Sequence, residues 1–132
     1  MDKIVISTDK APEAGGPYSQ AIKAGEIIFT AGQLGFVPGT KDLAGPDIES
    51  QTRQALENIK AILEAAGSCL DHAVKCTVFL ADINDFSLMN NVYAEFFTND
   101  PPARPTVPGV ALPFGARVEV EAVAVVCEPN SG

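Results

Sequence analysis

The eleven residues from Arg117 to Cys127 alternate as a strand does, and they are apolar on more than one side. Val118, Val120, Ala122, Ala124 and Val126 share one face; Arg117, Glu119, Glu121, Val123 and Val125 share the other, polar at its start and apolar at its end. A strand of this kind needs cover on both faces. The rest of the chain offers only two helical segments, and two helices cover one face of a sheet of this size. The other face calls for a further partner, most simply a second copy of the chain, so a homo-oligomer is expected.

The remaining pattern is that of an α+β fold in one domain spanning 1–132. With 46% apolar residues the chain has enough for one core, and no Ser-rich, repetitive or long polar stretch divides it. Strands are expected over Lys3 to Ser7, Ser19 to Lys23, Ile27 to Ala31, Val74 to Leu80, Thr106 to Ala111 and Arg117 to Cys127. Asp47 reads as the N-cap of a helix from Ile48 to Ala66 closed by Gly67, with Ala55, Ile59, Ile62, Leu63 and Ala66 on its apolar stripe. A second helix, capped at Asn84-Asp85, is expected from Phe86 to Phe97, where Pro101-Pro102 forbids continuation.

Several function classes drop out. Net charge is −8, and Lys and Arg never cluster beyond two neighbours, which argues against phosphate-dominated binding of nucleic acid. The N-terminal apolar run of Ile4-Val5-Ile6 is too short for a signal peptide or a membrane span. A cytoplasmic protein is expected; an organellar address already removed would leave no trace in this sequence. Cys69, Cys76 and Cys127 are odd in number and lack a C-x-x-C, so neither a disulfide framework nor a zinc site is read from them; three reduced, mostly buried thiols are expected. His72, the only histidine, reads as a solvated loop residue, and one histidine does not build a Ser-His-Asp triad.

Four places could carry chemistry. Arg104, between Pro102-Ala103 and Pro105-Thr106, could hold a carboxylate through two parallel hydrogen bonds, although spacing alone favours a loop arginine or a structural ion pair. Glu119 and Glu121 project from one strand face, where partial burial would raise a carboxyl pKa toward neutrality. An exposed acidic face competes with that reading, and Arg117 is its obvious salt-bridge partner. Tyr18, in Gly16-Pro17-Tyr18-Ser19, could present a phenol at a turn or simply be a rim tyrosine. Gly32-Gln33 is either a close-approach site or a turn.

At these residues the chain resembles the Rid/YjgF family over nearly its whole length. The matching segments are Gly16-Pro17-Tyr18-Ser19-Gln20-Ala21-Ile22, Phe29-Thr30-Ala31-Gly32-Gln33, Ala103-Arg104 and Arg117 to Val125, with support from Gln54 to Ile59 and Lys75 to Leu80. The resemblance implies a chorismate-mutase-like mixed sheet backed by two helices, assembled as a homotrimer with sites in the clefts between subunits. It implies hydrolysis of reactive 2-enamino and 2-imino acids, such as 2-aminoacrylate, 2-iminopropanoate and 2-iminobutanoate, to 2-keto acids and ammonia, with no metal or organic cofactor. By the same resemblance Arg104 binds the substrate carboxylate, and Glu119, fifteen residues later, positions the water. Tyr18 closes over the ligand, and Gly32 lies beside the pocket. Three positions depart from the family pattern: Ala31 and Pro105 stand where serines are common, and Thr106 where cysteine is. Those changes remove a hydroxyl and a backbone donor, while Arg104 and Glu119 persist, so activity is expected. The alternatives are an endoribonuclease that inhibits translation, and a non-catalytic trimer that binds keto acids or acts as a holdase.

Overall fold

A computed structural model describes residues 2–127. Its strands are β1 (Lys3–Ile6), β2 (Ala21–Ala24), β3 (Ile27–Thr30), β4 (Ala73–Leu80), β5 (Thr106–Val107) and β6 (Val118–Val125); its helices are α1 (Ile48–Ala65) and α2 (Phe86–Phe96). The strands form one mixed sheet in the order β1-β2-β3-β6-β4-β5, antiparallel throughout except for the parallel pair β4–β5. This is the expected α+β arrangement. No described helix is long and apolar enough to cross a membrane.

Helix α1 starts where Asp47, in extended backbone, accepts the Ser50 N–H at 2.8 Å. It ends where Gly67 turns left-handed (φ +87°), allowing Ser68 N–H to reach the Leu63 carbonyl. Ala55, Leu56, Ile59, Ile62 and Leu63 are fully buried against Ile28, Val78, Val118, Val120 and Ala124. Burying side chains such as Leu56 and Ile59 contributes about 1.5–3 kcal/mol each. Helix α2 packs beside α1 on the same face of the sheet.

The other sheet face is bare. Val5, Ile27 and Phe29 are 59%, 41% and 48% exposed, and cross-strand register places Phe29 beside Val123 and Ile27 beside Val125. The double-sided pattern of β6 is thus realised with one face covered and one apolar face open.

Two expectations need correction. The strand expected over Thr106 to Ala111 holds only to Val107, because Pro108 has no N–H for the β4–β5 ladder. Arg117 does not pair with Glu119 or Glu121. Its guanidinium bonds the Asp85 carboxylate at 3.0 Å and the Pro46 carbonyl at 2.8 Å, tying the start of β6 to the N-cap residue of α2. Asp85, engaged there, makes no side-chain cap for α2.

Candidate active site

Glu119 lies on the open face of β6, between the buried Val118 and Val120. What approaches it is set by an irregularity in β3. Strands β3 and β6 pair in register through Phe29 and Val123; pairing resumes at Gln33 and Val120, with one residue more on the first side than on the second. The extra residue makes a bulge, a device that ends regular pairing and re-aims nearby groups. Within it, Thr30 Oγ1 accepts the Ala122 N–H at 3.0 Å in place of a backbone carbonyl. Gly32 then passes directly under the Glu119 side chain: a Cβ added to Gly32 would sit 2.8 Å from both Cδ and Oε2 of Glu119. Gly32-Gln33 is therefore a close approach and not merely a turn.

The bulge is held from below. Gln33 exchanges two backbone hydrogen bonds with Val120, at 2.7 and 3.0 Å. Asn58, fully buried on α1, donates to the carbonyls of Leu34 and Phe36. Gln51 donates to the Gly45 carbonyl and accepts the Arg117 N–H, fixing the start of β6. Gly35 lies so close to α1 that an added Cβ would meet the Gln51 carbonyl oxygen at 2.5 Å. Sequence reading passed over these supports. The signal was there, since Gln51 and Asn58 are polar residues at buried positions of an apolar helical stripe.

Burial, followed by the neighbouring Glu121 charge, raises the Glu119 pKa above its ordinary value. Among the described residues no cation pairs with it; the ion pairs there are Arg53–Glu95 and Arg117–Asp85.

Arg104 is likewise half-buried and without an ion-pair partner among the described residues. Its backbone neighbours run alongside β4: Ala103 exchanges hydrogen bonds with Val74 and Cys76, and Pro105 accepts from Val78. The guanidinium stacks over the Tyr93 ring at 4.5 Å and lies 5.7 Å from the Phe86 centroid. Both rings belong to α2, on the apolar stripe of Phe86, Met89 and Tyr93 that also packs on the core. Two aromatic faces hold a flat cation in one plane, which an ammonium would not exploit equally. The Tyr93 hydroxyl is buried with no hydrogen-bond partner of ordinary geometry. Burial pushes the nearby Cys76 thiol up to about 11, so it stays protonated and inert at neutral pH.

The candidate residues fall into two groups. Ala31 belongs with Gly32 and Glu119, and its N–H donates to the Gln20 carbonyl; Tyr18, two residues before Gln20, is 55% exposed and its hydroxyl accepts the Gly15 N–H at 3.0 Å. Thr106 belongs with Arg104, two residues along the same edge segment and paired with the buried Val78. The groups do not meet within one chain. Arg104 packs on the helix side at the β5 edge, whereas Glu119 points from the open side two strands away. From the strand after Tyr18 to β5 is four interstrand steps, roughly 19 Å at ~4.8 Å each. The described cavities agree: one is lined by Ala44, Glu49, Ser50, Arg53 and Gln54, and the one beside Tyr18 includes neither Arg104 nor Glu119.

Cys69 and Cys127 also differ from expectation, being half-buried and facing each other across the exposed His72.

Comparison with known proteins matches the geometry to a family. The family profile described as Endoribonuclease L-PSP covers residues 8–126. A RutC family protein of Pyrococcus horikoshii is 54% identical over 92% of this chain and 97% of its own. The 2-iminobutanoate/2-iminopropanoate deaminase of Bos taurus is 50% identical over 92% of this chain and 88% of its own. The crystal structure of E. coli TdcF with bound serine superposes with a TM-score of 0.88 at 41% identity, covering 94% of this chain and 99% of that one. With a profile match across most of its length, relatives at this identity and the same six-stranded, two-helix architecture, the chain belongs to the Endoribonuclease L-PSP family, the Rid/YjgF proteins.

Proposed function

We propose that this protein is a deaminase of reactive 2-imino and 2-enamino acids, and that its working site is completed between subunits of a homotrimer. One observation carries the reading: a half-buried guanidinium and a half-buried carboxylate, each on a well-tied backbone segment and neither ion-paired among the described residues. Opposite charges so placed serve a ligand that presents an anion to one and a reacting centre to the other.

In this reading Arg104 grips the substrate carboxylate in two parallel hydrogen bonds, with Thr106 beside it. The imine carbon C2 then faces the open sheet side of the neighbouring subunit, where Glu119 orients a water. As the water oxygen bonds to C2, one water proton passes by way of Glu119 to the imine nitrogen, giving a carbinolamine. The remaining hydroxyl proton then passes by way of Glu119 to the amine nitrogen as the C2–N bond breaks and the C2–O double bond forms, leaving a 2-keto acid and ammonia. The raised pKa of Glu119 suits a group that must take and return a proton near neutrality. Tyr18 closes the cleft, and the bare Ile27 and Phe29 supply the apolar contact between subunits. The relatives named as deaminases and the serine in TdcF, a small amino acid, support this substrate class. A net charge of −8 counts against RNA.

The test is a coupled assay in which a threonine or serine dehydratase generates the enamine and keto-acid release is followed. Wild type should accelerate release, and Arg104→Ala and Glu119→Ala should each abolish the acceleration. When the two inactive variants are unfolded, mixed and refolded together, activity should return, because some interfaces then combine an intact Arg104 with an intact Glu119. No acceleration by an intact wild-type oligomer sinks the deaminase reading. Acceleration without recovery in the mixture sinks the shared site.

A further inference from the structure

Where β6 ends, three side chains that the deaminase reading leaves unused converge. Cys69 begins the turn Leu70–His72, in which His72 N–H bonds the Cys69 carbonyl at 3.0 Å. In such a turn residues three apart stack on one side, so Cys69 and His72 present their side chains together. Cys127 arrives from the far end of the sheet. Its N–H bonds the Gly67 carbonyl at 2.9 Å, and Ser68 Oγ bonds the Val125 carbonyl at 2.6 Å, pinning the strand exit to the turn. The result is a triangle: Cys69 Sγ to Cys127 Sγ 3.8 Å, Cys127 Sγ to His72 Nδ1 3.6 Å, and Cys69 Sγ to His72 Nδ1 3.0 Å.

We propose that Cys69, His72 and Cys127 form a binding site for a zinc-class divalent ion. A tetrahedral zinc with Zn–S of about 2.3 Å and Zn–N of about 2.0–2.1 Å separates two sulfurs by about 3.8 Å, and sulfur from nitrogen by about 3.6 Å. Two edges of the triangle already match; the third opens by about 0.6 Å as the thiol–imidazole contact gives way to the ion. Two thiolates and an imidazole are soft to borderline donors, which favour zinc over magnesium or calcium. The described residues supply three ligands, which leaves the fourth position of a tetrahedron open to water or a further donor. Binding follows 2 RSH + Zn²⁺ → Zn(SR)₂ + 2 H⁺, with neutral His72 donating through Nδ1 and no change in oxidation state. The 3.8 Å sulfur separation, with a ring nitrogen touching both, is that of co-ligands and not of a disulfide near 2.05 Å.

The site lies eight residues along β6 from Glu119, about 26 Å at ~3.3 Å per residue. It is therefore structural: the ion staples the exit of β6 to the turn that follows α1, adding to the hydrogen bonds from Cys127 to Gly67 and from Ser68 to Val125. Chain positions 69 and 72 form a C-x-x-H pair, and the third ligand is 55 residues further on, a spacing that only the closed sheet reveals.

The full-length protein, reduced and freed of metal by a chelator, would be titrated with cobalt(II) and separately with zinc. One equivalent of cobalt per chain should produce thiolate charge-transfer bands and tetrahedral d–d bands. Zinc should displace that signal and raise the melting temperature. Uptake should become acid-sensitive, with two protons released per ion. Cys127→Ser and His72→Ala, both outside the core, should keep the wild-type oligomeric state and circular dichroism yet lose the cobalt bands. Cys76→Ala should keep them. Absence of thiolate bands in the folded wild type, or their survival in both Cys127→Ser and His72→Ala, overturns the site. So does a Cys69–Cys127 disulfide that forms under reducing conditions and excludes the metal.

Discussion

Two glycines three residues apart should respond to the same substitution in opposite ways. Gly32 and Gly35 both have ordinary, negative-φ backbone, so alanine brings no left-handed strain at either. What differs is the obstacle. At Gly32 the new methyl meets Cδ and Oε2 of Glu119 at 2.8 Å, the free end of a flexible side chain. Ordinary contact begins near 3.4 Å, so the carboxylate must retreat by at least about 0.6 Å. A displacement approaching 1 Å at a reacting group can cost about 10²-fold in rate. Gly32→Ala should thus lower the deaminase rate by about 10- to 100-fold. Its stability should stay within about 1 kcal/mol of wild type, because alanine also restricts the unfolded chain.

At Gly35 the same methyl meets Gln51 O, Cα and C at 2.5, 2.8 and 3.0 Å. These are backbone atoms of a buried helix turn and have nowhere to go. Overpacking of that kind costs about 1–3 kcal/mol, which for a chain of this length corresponds to a melting temperature roughly 3–15 °C lower. The two variants would be melted at equal protein concentration, since association makes the midpoint concentration-dependent, and assayed by keto-acid release. If Gly32→Ala keeps full activity, or melts as low as Gly35→Ala, then Glu119 is not poised by the glycine beneath it.

Three further outcomes are expected. Because burial and Glu121 raise the folded pKa of Glu119 above its unfolded value, the native state keeps a proton that the unfolded chain has lost, and stability falls as pH rises through that window. Glu119→Gln should therefore melt above wild type at pH 7 and level with it below about pH 3.5, where both forms of the residue are neutral; equal melting at both pH values would show that the carboxylate is not destabilised in the fold. Phe29→Glu, placing a charge on the bare sheet face, should yield a folded monomer without deaminase activity in light scattering; a trimer that survives it would move the interface elsewhere. Asp47→Ala, which removes the 2.8 Å cap on Ser50, should lower the melting temperature and leave the rate per folded molecule unchanged.

What was legible in the sequence was whatever local chemistry decides. Asp47 and Gly67 bracket α1 because an N-cap and a left-handed glycine act over three or four residues, and the β6 alternation shows directly which side chains go under the helices. The resemblance supplied Glu119 and Gly32 as separate letters; their 2.8 Å approach depends on a one-residue bulge between strands that lie some 90 positions apart. Arg117 was misassigned for a similar reason. Alternation along one strand suggests Glu119 as its neighbour, while the fold brings Asp85, at the N-cap of α2, to 3.0 Å. Tyr93 and Phe86 matched a core stripe and do serve the core, but the edge segment arriving over them makes them the bed for Arg104.

The division of the candidate site between two sheet faces links assembly to chemistry. In the isolated chain Glu119 is half in water, and its pKa, though raised, still feels solvent screening. In the proposed trimer, closure of a neighbouring subunit over Ile27 and Phe29 would remove that water and push the carboxyl pKa further up, whereas an arriving Arg104 would pull it down. A substrate carboxylate on Arg104 would offset the guanidinium charge and leave burial as the larger influence on Glu119. A chain that paired Arg104 with Glu119 internally would spend both charges on each other. On the proposed function, holding them on opposite faces would keep each available for a second chain and a small acid.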